Sequence, residues 1–331
     1  MAKNSTVEGG PVLTEAKMNL VRPKEPQQGT VVSTRLCLKG KSNAFIRHVA
    51  IDVSSTPIAG NFLVGQSFGV VAPGTDANGK PHKVRLYSIA SPSYGEDGEG
   101  RILSTTPKRV LDERSPQRPE DDPDDHRLFV GVCSNYLCDL RAGDPVMVTG
   151  PNGKSFLLPA NPDDHDYLFV ATGTGIAPFR GMVMELLDHP HRDPCKSQIH
   201  LVMGSPYTSD LLYDDLFVKY AAERDNFHYH TAISREPREG SARGIYVDRL
   251  IDEQMSATFG ALLENPRTLV YVCGLAGMQV GLFTILAKHG FAGSYLDVKD
   301  EAMAAQDPAS WEWDKIKRWV RSNKRCMLEV Y

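Results

Sequence analysis

Near Pro159 the hydrophobic period of this 331-residue chain changes, and that change limits the possible folds more than any other feature. Before it, "TVVSTRLCLK", "FIRHVAIDV", "SFGVVAP", "HKVRLYSIAS", "RILSTTPKRV" and "DPVMVTGP" are short, β-rich and punctuated by Gly, Pro and Asp. Strand following strand in this way predicts an antiparallel β-barrel over residues 30–160. After it, "YLFVAT", "QIHLVMG", "FHYHTAIS" and "TLVYVCG" alternate with amphipathic stretches such as "FRGMVMELL", a helix from about Ser209 to Arg224 and another near Val247 to Met255. That alternation predicts an α/β doubly wound parallel sheet over residues 161–331. The polar residues 1–29, which include "RPKEPQQG", read as a flexible leader.

Composition excludes several classes. A net charge of −4 argues against a general nucleic-acid binder. The 41% hydrophobic content is that of an ordinary water-soluble protein. The apolar run "TLVYVCGLAGMQVGLFTILA" contains three glycines and a glutamine and switches from strand-like to helix-like period, so a buried strand–turn–helix is expected rather than a membrane span. Six cysteines without a CxxC pair predict neither a metal site nor a disulfide framework and favour a reducing compartment. The N-terminal stretch has no apolar signal core and is not Arg-rich, so a cytoplasmic location is expected.

Several motifs sit where ligands bind. In "HKVRLYSIAS", strict alternation sends Arg85 and Tyr87 to one face and Ser88 to the other, a combination that suits a large, flat, anionic ligand. "VATGTGIAPFRG" is a strand, a Gly turn with Gly173, Thr174 and Gly175, and a helix start with Pro178 in its first turn. A helix N-terminus of that kind suits a pyrophosphate, and a purely structural turn fits equally well. "VCGLAGM" repeats the pattern on a neighbouring strand, with Cys273 either lining a cleft or packing in the core. Ser234, Arg235, Arg243 and Tyr246 suit a phosphate beside an adenine, or form a surface ion-pair cluster, with Glu236 nearby. "GVCSNYLCDL" offers a further helix start, with Ser134 or Asn135 as N-cap. The acidic run within Arg114–Arg127 reads as a solvated loop.

Taken in order, "RLYSIAS", "GVCSNYLCDL", "TGPNGK", "TGTGIAPFR", "LLYDDLF", "ISRE", "CGLAGM" and the terminal "EVY" resemble the plant-type ferredoxin–NADP reductases over nearly the whole chain. The resemblance implies an FAD-binding barrel followed by an NADP(H)-binding α/β domain. It implies FAD contacts from Arg85, Leu86, Tyr87, Ser88, Gly131, Val132, Cys133, Ser134, Thr174 and Tyr331. It implies NADP contacts from Gly173, Thr174, Gly175, Pro178, Gly204, Ser234, Arg235, Arg243, Tyr246, Cys273, Gly274 and Met278. Ser88, Cys273, Glu329 and Tyr331 would be the catalytic group, with Tyr331 covering the flavin and Ser88 and Glu329 handling the N5 proton. Hydride would pass between flavin and nicotinamide, and ferredoxin or flavodoxin would exchange single electrons at a rim that includes Lys80 and Lys83. The basic stretch "DKIKRWVRSNKR" adds to that rim or is a solvated helix face. The expected protein is a monomer without a metal or a membrane segment.

Three positions depart from the family pattern. Gly244 stands where a basic residue is usual, with Arg243 one position earlier. Asp112 replaces an aromatic that stacks on the FAD adenine, and the Arg114–Arg127 loop is long and acidic. Two other readings fit the same motifs: an NAD(P)H-dependent reductase component feeding an iron–sulfur oxygenase, and a non-catalytic nucleotide-binding module.

Overall fold

In the computed structural model, which describes residues 10–40, 42, 44–113, 120, 122, 124 and 126–330, the β-rich runs of the first half pair into one antiparallel sheet. Its strands are β1 (Gln27–Leu36), β2 (Arg47–Asp52), β3 (Ser67–Val71), β4 (Arg85–Ser88), β5 (Ile102–Thr105) and, after a small hairpin of β6 (Leu111–Glu113) and β7 (Leu128–Val130), β8 (Pro145–Asn152). The order is β4-β3-β8-β1-β2-β5. Val49 and Ile51, Phe68 and Val70, and Val146 and Val148 are each two residues apart, so their side chains share the inward face and form the core with Leu103. Beyond β4, Ala90 N donates to Ser104 O at 2.8 Å, and Thr105 Oγ1 donates to Ser88 O at 2.9 Å. These bonds tie one edge strand to the other and make the sheet barrel-like. Helix α1 (Val132–Asp139) adds Cys133 and Leu137 to the same core.

One compact unit spans Lys17–Gly153; the other begins at Lys154 and includes the described residues before Lys17. Residues 10–29 are therefore not a free leader. Val21 is 1% exposed and exchanges backbone hydrogen bonds with Gly150, Thr14 N donates to Leu158 O, and β1 already begins at Gln27. Val21 supplies the apolar anchor that the polar composition of this stretch concealed.

The second unit is a parallel sheet of β9 (Asp166–Thr172), β10 (Ile199–Ser205), β11 (Phe227–Ile233) and β12 (Thr268–Gly274), with a short pair β13 (Leu296–Val298) and β14 (Val320–Ser322) set apart and β15 (Cys326–Val330) closing the main sheet. The order is β11-β10-β9-β12-β15. β10 and β12 are buried along their whole lengths, as strands covered on both faces must be. Helices α2 (Ile176–Leu187), α3 (Asp214–Glu223), α4 (Val247–Glu253), α5 (Gly260–Glu264) and α6 (Ala276–Lys288) form the crossovers. The run from Thr268 to Ala287 is strand β12 followed by α6, and no helix among the described residues is long and apolar enough to cross a membrane. The helix expected over 209–224 is shorter. Thr208–Asp210 is a single tight turn and Tyr213 takes a left-handed φ of 58°, so α3 starts only at Asp214. The expected helix to Met255 ends at Glu253 and passes through a π-turn, Met255–Phe259, into α5.

The edge of this sheet carries a histidine cluster with a pH consequence. His200 on β10 lies opposite His228 on β11, and its Nδ1 is 3.2 Å from His230 Nε2. Burial, followed by the charges of His228 and His230, depresses the His200 pKa to about 3. Burial lowers His230 as well. The unfolded chain thus binds more protons than the folded one between about pH 3 and 6.5, and stability rises with pH across that window. Lowering the pH from 7 to 5 should cost about 2 kcal/mol through His200 alone. Urea midpoints at the two pH values should show this loss, and His200→Gln should shrink it; an equal loss in the variant would refute the assignment.

Candidate functional site

On the barrel unit, the site residues converge where edge strand β4 meets the start of α1. Arg85 and Leu86 are exposed. Tyr87, opposite Phe68 on β3, is half-buried against the barrel core. Its phenol interacts with the Cys133 thiol, and burial raises the pKa of both groups, so both stay protonated. The Arg85 guanidinium opposes that rise at both groups, which sets its charge beside the first turn of α1. Cys133 Sγ donates to Val70 O at 3.7 Å and joins the helix to β3.

The helix begins earlier than its sequence indicated. Gly131 is the N-cap and makes no side-chain cap bond, so neither Ser134 nor Asn135 caps it. Asn135 instead donates from Nδ2 to Val110 O at 2.8 Å and to Gly131 O at 2.7 Å, while its Oδ1 accepts from Arg109. The first turn carries no acidic residue, and its amides point into a positive helix end. A helix end of this kind, with an arginine at its side, suits a phosphate. Val132, at its first position, is exposed, and Ser134 Oγ lies 3.4 Å from Gly131 O.

On the α/β unit, Gly173–Gly175 forms a tight turn between β9 and α2, and Gly173 takes a φ of 54°. The sheet reverses its winding between β9 and β12, the position where such sheets bind ligands. There a Cβ on Gly175 would lie 2.2 Å from the Cys273 carbonyl oxygen, so glycine is required for the two strand ends to approach. Thr172 Oγ1 accepts from Leu275 N at 3.1 Å and clasps the two glycine turns together; the sequence reading passed over this residue, although it opens the "TGTG" run. Gly204 pairs with Thr172, Gly274 follows Cys273, Thr174 lies in the turn, Pro178 sits in the first turn of α2 and Met278 is buried in α6.

Cys273 and Glu329 are opposite each other on β12 and β15. Burial, reinforced by the Glu329 carboxylate, pushes the Cys273 thiol well above its usual pKa, so it is a neutral wall and not a thiolate nucleophile. All six cysteines are free and buried, and no cluster of metal-ligating side chains occurs among the described residues. Tyr331 lies outside the described residues. Ser88 belongs to the barrel unit and Glu329 to the α/β unit.

At the end of β11, Ser234 N donates to Ser205 O and Arg235 N to Pro206 O. Arg235, Arg243 and Tyr246 are exposed, Tyr246 by 68%. Neither guanidinium makes an ion pair among the described residues, whereas neighbouring Arg238 is bound by Glu253. Glu236 accepts from Thr208 N at 2.8 Å and Thr208 Oγ1 at 2.6 Å, so its carboxylate is engaged in the fold. Gly244 explains the displaced arginine: a Cβ there would lie 2.3 Å from Ile233 O. No side chain fits at 244, so the basic residue available near Tyr246 is Arg243.

Lys80 and Lys83 are exposed. The basic stretch near the C-terminus divides between helix Trp313–Trp319 and β14. Its last arginine, Arg325, donates to the carbonyls of Asn265 and Thr268 and stacks on Tyr295, so it serves the fold.

A barrel-like antiparallel sheet and a parallel sheet with a glycine turn at its switch point suit a dinucleotide-dependent oxidoreductase. Residues 169–282 match the oxidoreductase NAD-binding domain family. A ferredoxin–NADP reductase of a Picosynechococcus species is 36% identical over 322 residues, covering 96% of this chain and 73% of the relative. That of a Spirulina species is 34% identical over 96% of this chain and 99% of its own, and the chloroplastic root isozyme of Oryza sativa is 35% identical over 96% and 78%. A solved ferredoxin-NADP+ reductase from Plasmodium falciparum with 2'P-AMP superposes with a TM-score of 0.67 at 21% identity, covering 95% of this chain and 99% of that one. The chain belongs to the ferredoxin–NADP reductase family.

Proposed function

We propose that this chain is an FAD-dependent reductase that exchanges electrons between NADP(H) and a one-electron carrier, ferredoxin or flavodoxin. The observation that supports the reading is a glycine-led helix start on each unit, Gly131 before α1 and Gly173–Gly175 before α2, the second at the switch point of the parallel sheet.

The residues of the barrel fit FAD. The amides at Val132, Cys133 and Ser134 would hold its pyrophosphate with Arg85, and Leu86 and Tyr87 would flank the ring system. Bound FAD supplies the chemistry that links single-electron delivery to hydride transfer. Ser88 on the barrel unit and Glu329 on the α/β unit would each be a candidate for handling the proton that accompanies that transfer. Cys273, neutral and buried, would line the nicotinamide pocket, and the resemblance alone gives Tyr331 the role of flavin cover. Gly173, Thr174, Gly175 and Pro178 receive the NADP(H) pyrophosphate, with Gly204, Gly274 and Met278 shaping the cleft. Arg235, Arg243, Ser234 and Tyr246 receive the 2'-phosphate and the adenine. Lys80 and Lys83 meet an acidic carrier protein.

The test is anaerobic stopped-flow mixing of the purified protein with NADPH or NADH while the flavin absorbance is followed, then with ferredoxin at rising salt. Fast bleaching by NADPH and slow bleaching by NADH are expected, with ferredoxin reduction slowing as salt rises. Equal bleaching would remove the 2'-phosphate assignment, and a salt-independent rate would remove the lysine rim. A protein that never binds flavin would remove the function.

A further inference from the structure

Arg180 is buried in α2, one turn in from the helix start. A guanidinium is almost never buried without partners that compensate for the lost water. One such partner here is an aromatic face: the guanidinium carbon lies 5.2 Å from the ring centroid of Tyr213. Tyr213 is itself buried, and its φ of 58° is a conformation that a bulky residue adopts only when its surroundings impose it. Leu211 and Leu212, just before it, are buried as well. The stack and the two leucines fix the point at which the chain leaves a loop and enters α3.

That loop, residues 206–212, runs from the end of β10 to Tyr213 and is bonded to the segment just after β11. Arg235 N donates to Pro206 O at 2.9 Å, and Glu236 accepts from Thr208 N and Oγ1 at 2.8 and 2.6 Å. Ser234 N donates to Ser205 O at 2.9 Å, immediately before the loop. Three consecutive residues, Ser234, Arg235 and Glu236, thus hang on a loop whose far end is set by Arg180. Arg180 in turn lies five residues beyond Gly175, the N-cap of the same helix. One side chain therefore links the glycine turn that suits a pyrophosphate to the arm that carries Arg235.

We propose that Arg180 is a positioning residue for NADP(H): its stack on Tyr213 holds the 206–212 loop, and with it the 234–236 arm, at a set position relative to the pyrophosphate turn. The proposal rests on the NADP(H) reading given above. A ligand held at two points gains most when those points are fixed relative to each other. NADPH engages both the turn and the arm, whereas NADH lacks the 2'-phosphate and gains little from the arm's position.

The test is steady-state kinetics of the full-length holoenzyme with NADPH and NADH, with ferricyanide as electron acceptor. Arg180→Met keeps the length of the side chain without its charge or plane. It should raise KM for NADPH by about 5- to 30-fold, the loss of one desolvated cation–π contact, with kcat and the KM for NADH unchanged. Tyr213→Asn removes the ring but accepts a positive φ, so it should match Arg180→Met. The double variant should be no worse than either single change. Tyr213→Phe keeps the ring face and should retain the wild-type KM. Equal rises for the two coenzymes, or losses that add in the double variant, overturn the proposal, because either would mean general packing rather than positioning. Should Arg180→Met not fold, Tyr213→Asn and Arg180→Lys, which keeps the cation, decide the matter on the same readout. A wild type that takes NADPH and NADH equally overturns the 2'-phosphate reading and this inference together. One that prefers NADPH, with Arg180→Met and Tyr213→Asn indifferent, overturns the inference alone.

Discussion

Replacing Arg235 and Arg243 together by alanine should raise KM for NADPH by about 10²-fold, since each charge-assisted bond to a phosphate contributes about 1.5 kcal/mol at an exposed site. NADH, which lacks the 2'-phosphate, should be used as before. Both guanidiniums are exposed and form no ion pair among the described residues, and they lie near a tyrosine exposed by 68%. Arg238 serves as the internal control. Its side chain is bound by both carboxylate oxygens of Glu253, at 2.6 and 2.8 Å, so Arg238→Ala should affect neither coenzyme. Glu236→Gln should likewise not convert the site to NADH, because its carboxylate is already engaged by Thr208. Steady-state kinetics with both coenzymes decide the matter: parallel losses for NADPH and NADH would place the arginines in general binding rather than in phosphate recognition.

Gly175→Ala should destabilise the protein by about 2–4 kcal/mol and weaken NADP(H) binding at least tenfold, because the added methyl group has no place to go. A Cβ would lie 2.2 Å from the Cys273 carbonyl oxygen, 2.5 Å from its carbon and 2.8 Å from Gly274 Cα. All three are backbone atoms at the end of a buried central strand, so relief requires separating β9 from β12 at the nucleotide cleft. Gly277→Ala is the matching control. That glycine lies in the first turn of α6 with nothing within 4 Å of its would-be Cβ, so the same substitution should be neutral or stabilising by about 0.5–1 kcal/mol. Urea unfolding and NADP+ titration of both variants provide the comparison. A tolerated Gly175→Ala would show that the two glycine turns yield more readily than their geometry implies.

The glycine turns were legible because their signal is local. A strand, a glycine pair and a helix start lie within twelve residues of "VATGTGIAPFRG", and the tight turn follows from the absence of a Cβ. The strands of the barrel were legible for a similar reason, since Val49 and Ile51 or Val146 and Val148 reveal an inward face through spacing alone. The N-cap of α1 was misplaced. Ser134 and Asn135 are common capping residues, yet Asn135 is drawn away from a capping role by its bonds to Val110 O and Gly131 O, partners that sequence spacing does not reveal. Val21 was missed because one buried valine in a polar segment has no periodicity.

From its sequence alone the chain determines two sheets of different kinds and the positions of its glycine turns and candidate site residues, because periodicity, side-chain alternation and glycine backbone freedom act over a few residues; the compact units divide at Gly153, a few residues before the expected Pro159. Tertiary structure alone decided which of those residues meet. Cys273 lies beside Glu329 because β15 returns to the edge of β12, 56 residues along the chain. Gly244 excludes a side chain because β11 ends against it, and Phe129 faces Asp112 through the register of a hairpin whose strands are separated in sequence by residues 114–127. Strand pairing is set by packing across the whole unit, and residues distant in sequence become neighbours only when that packing is complete.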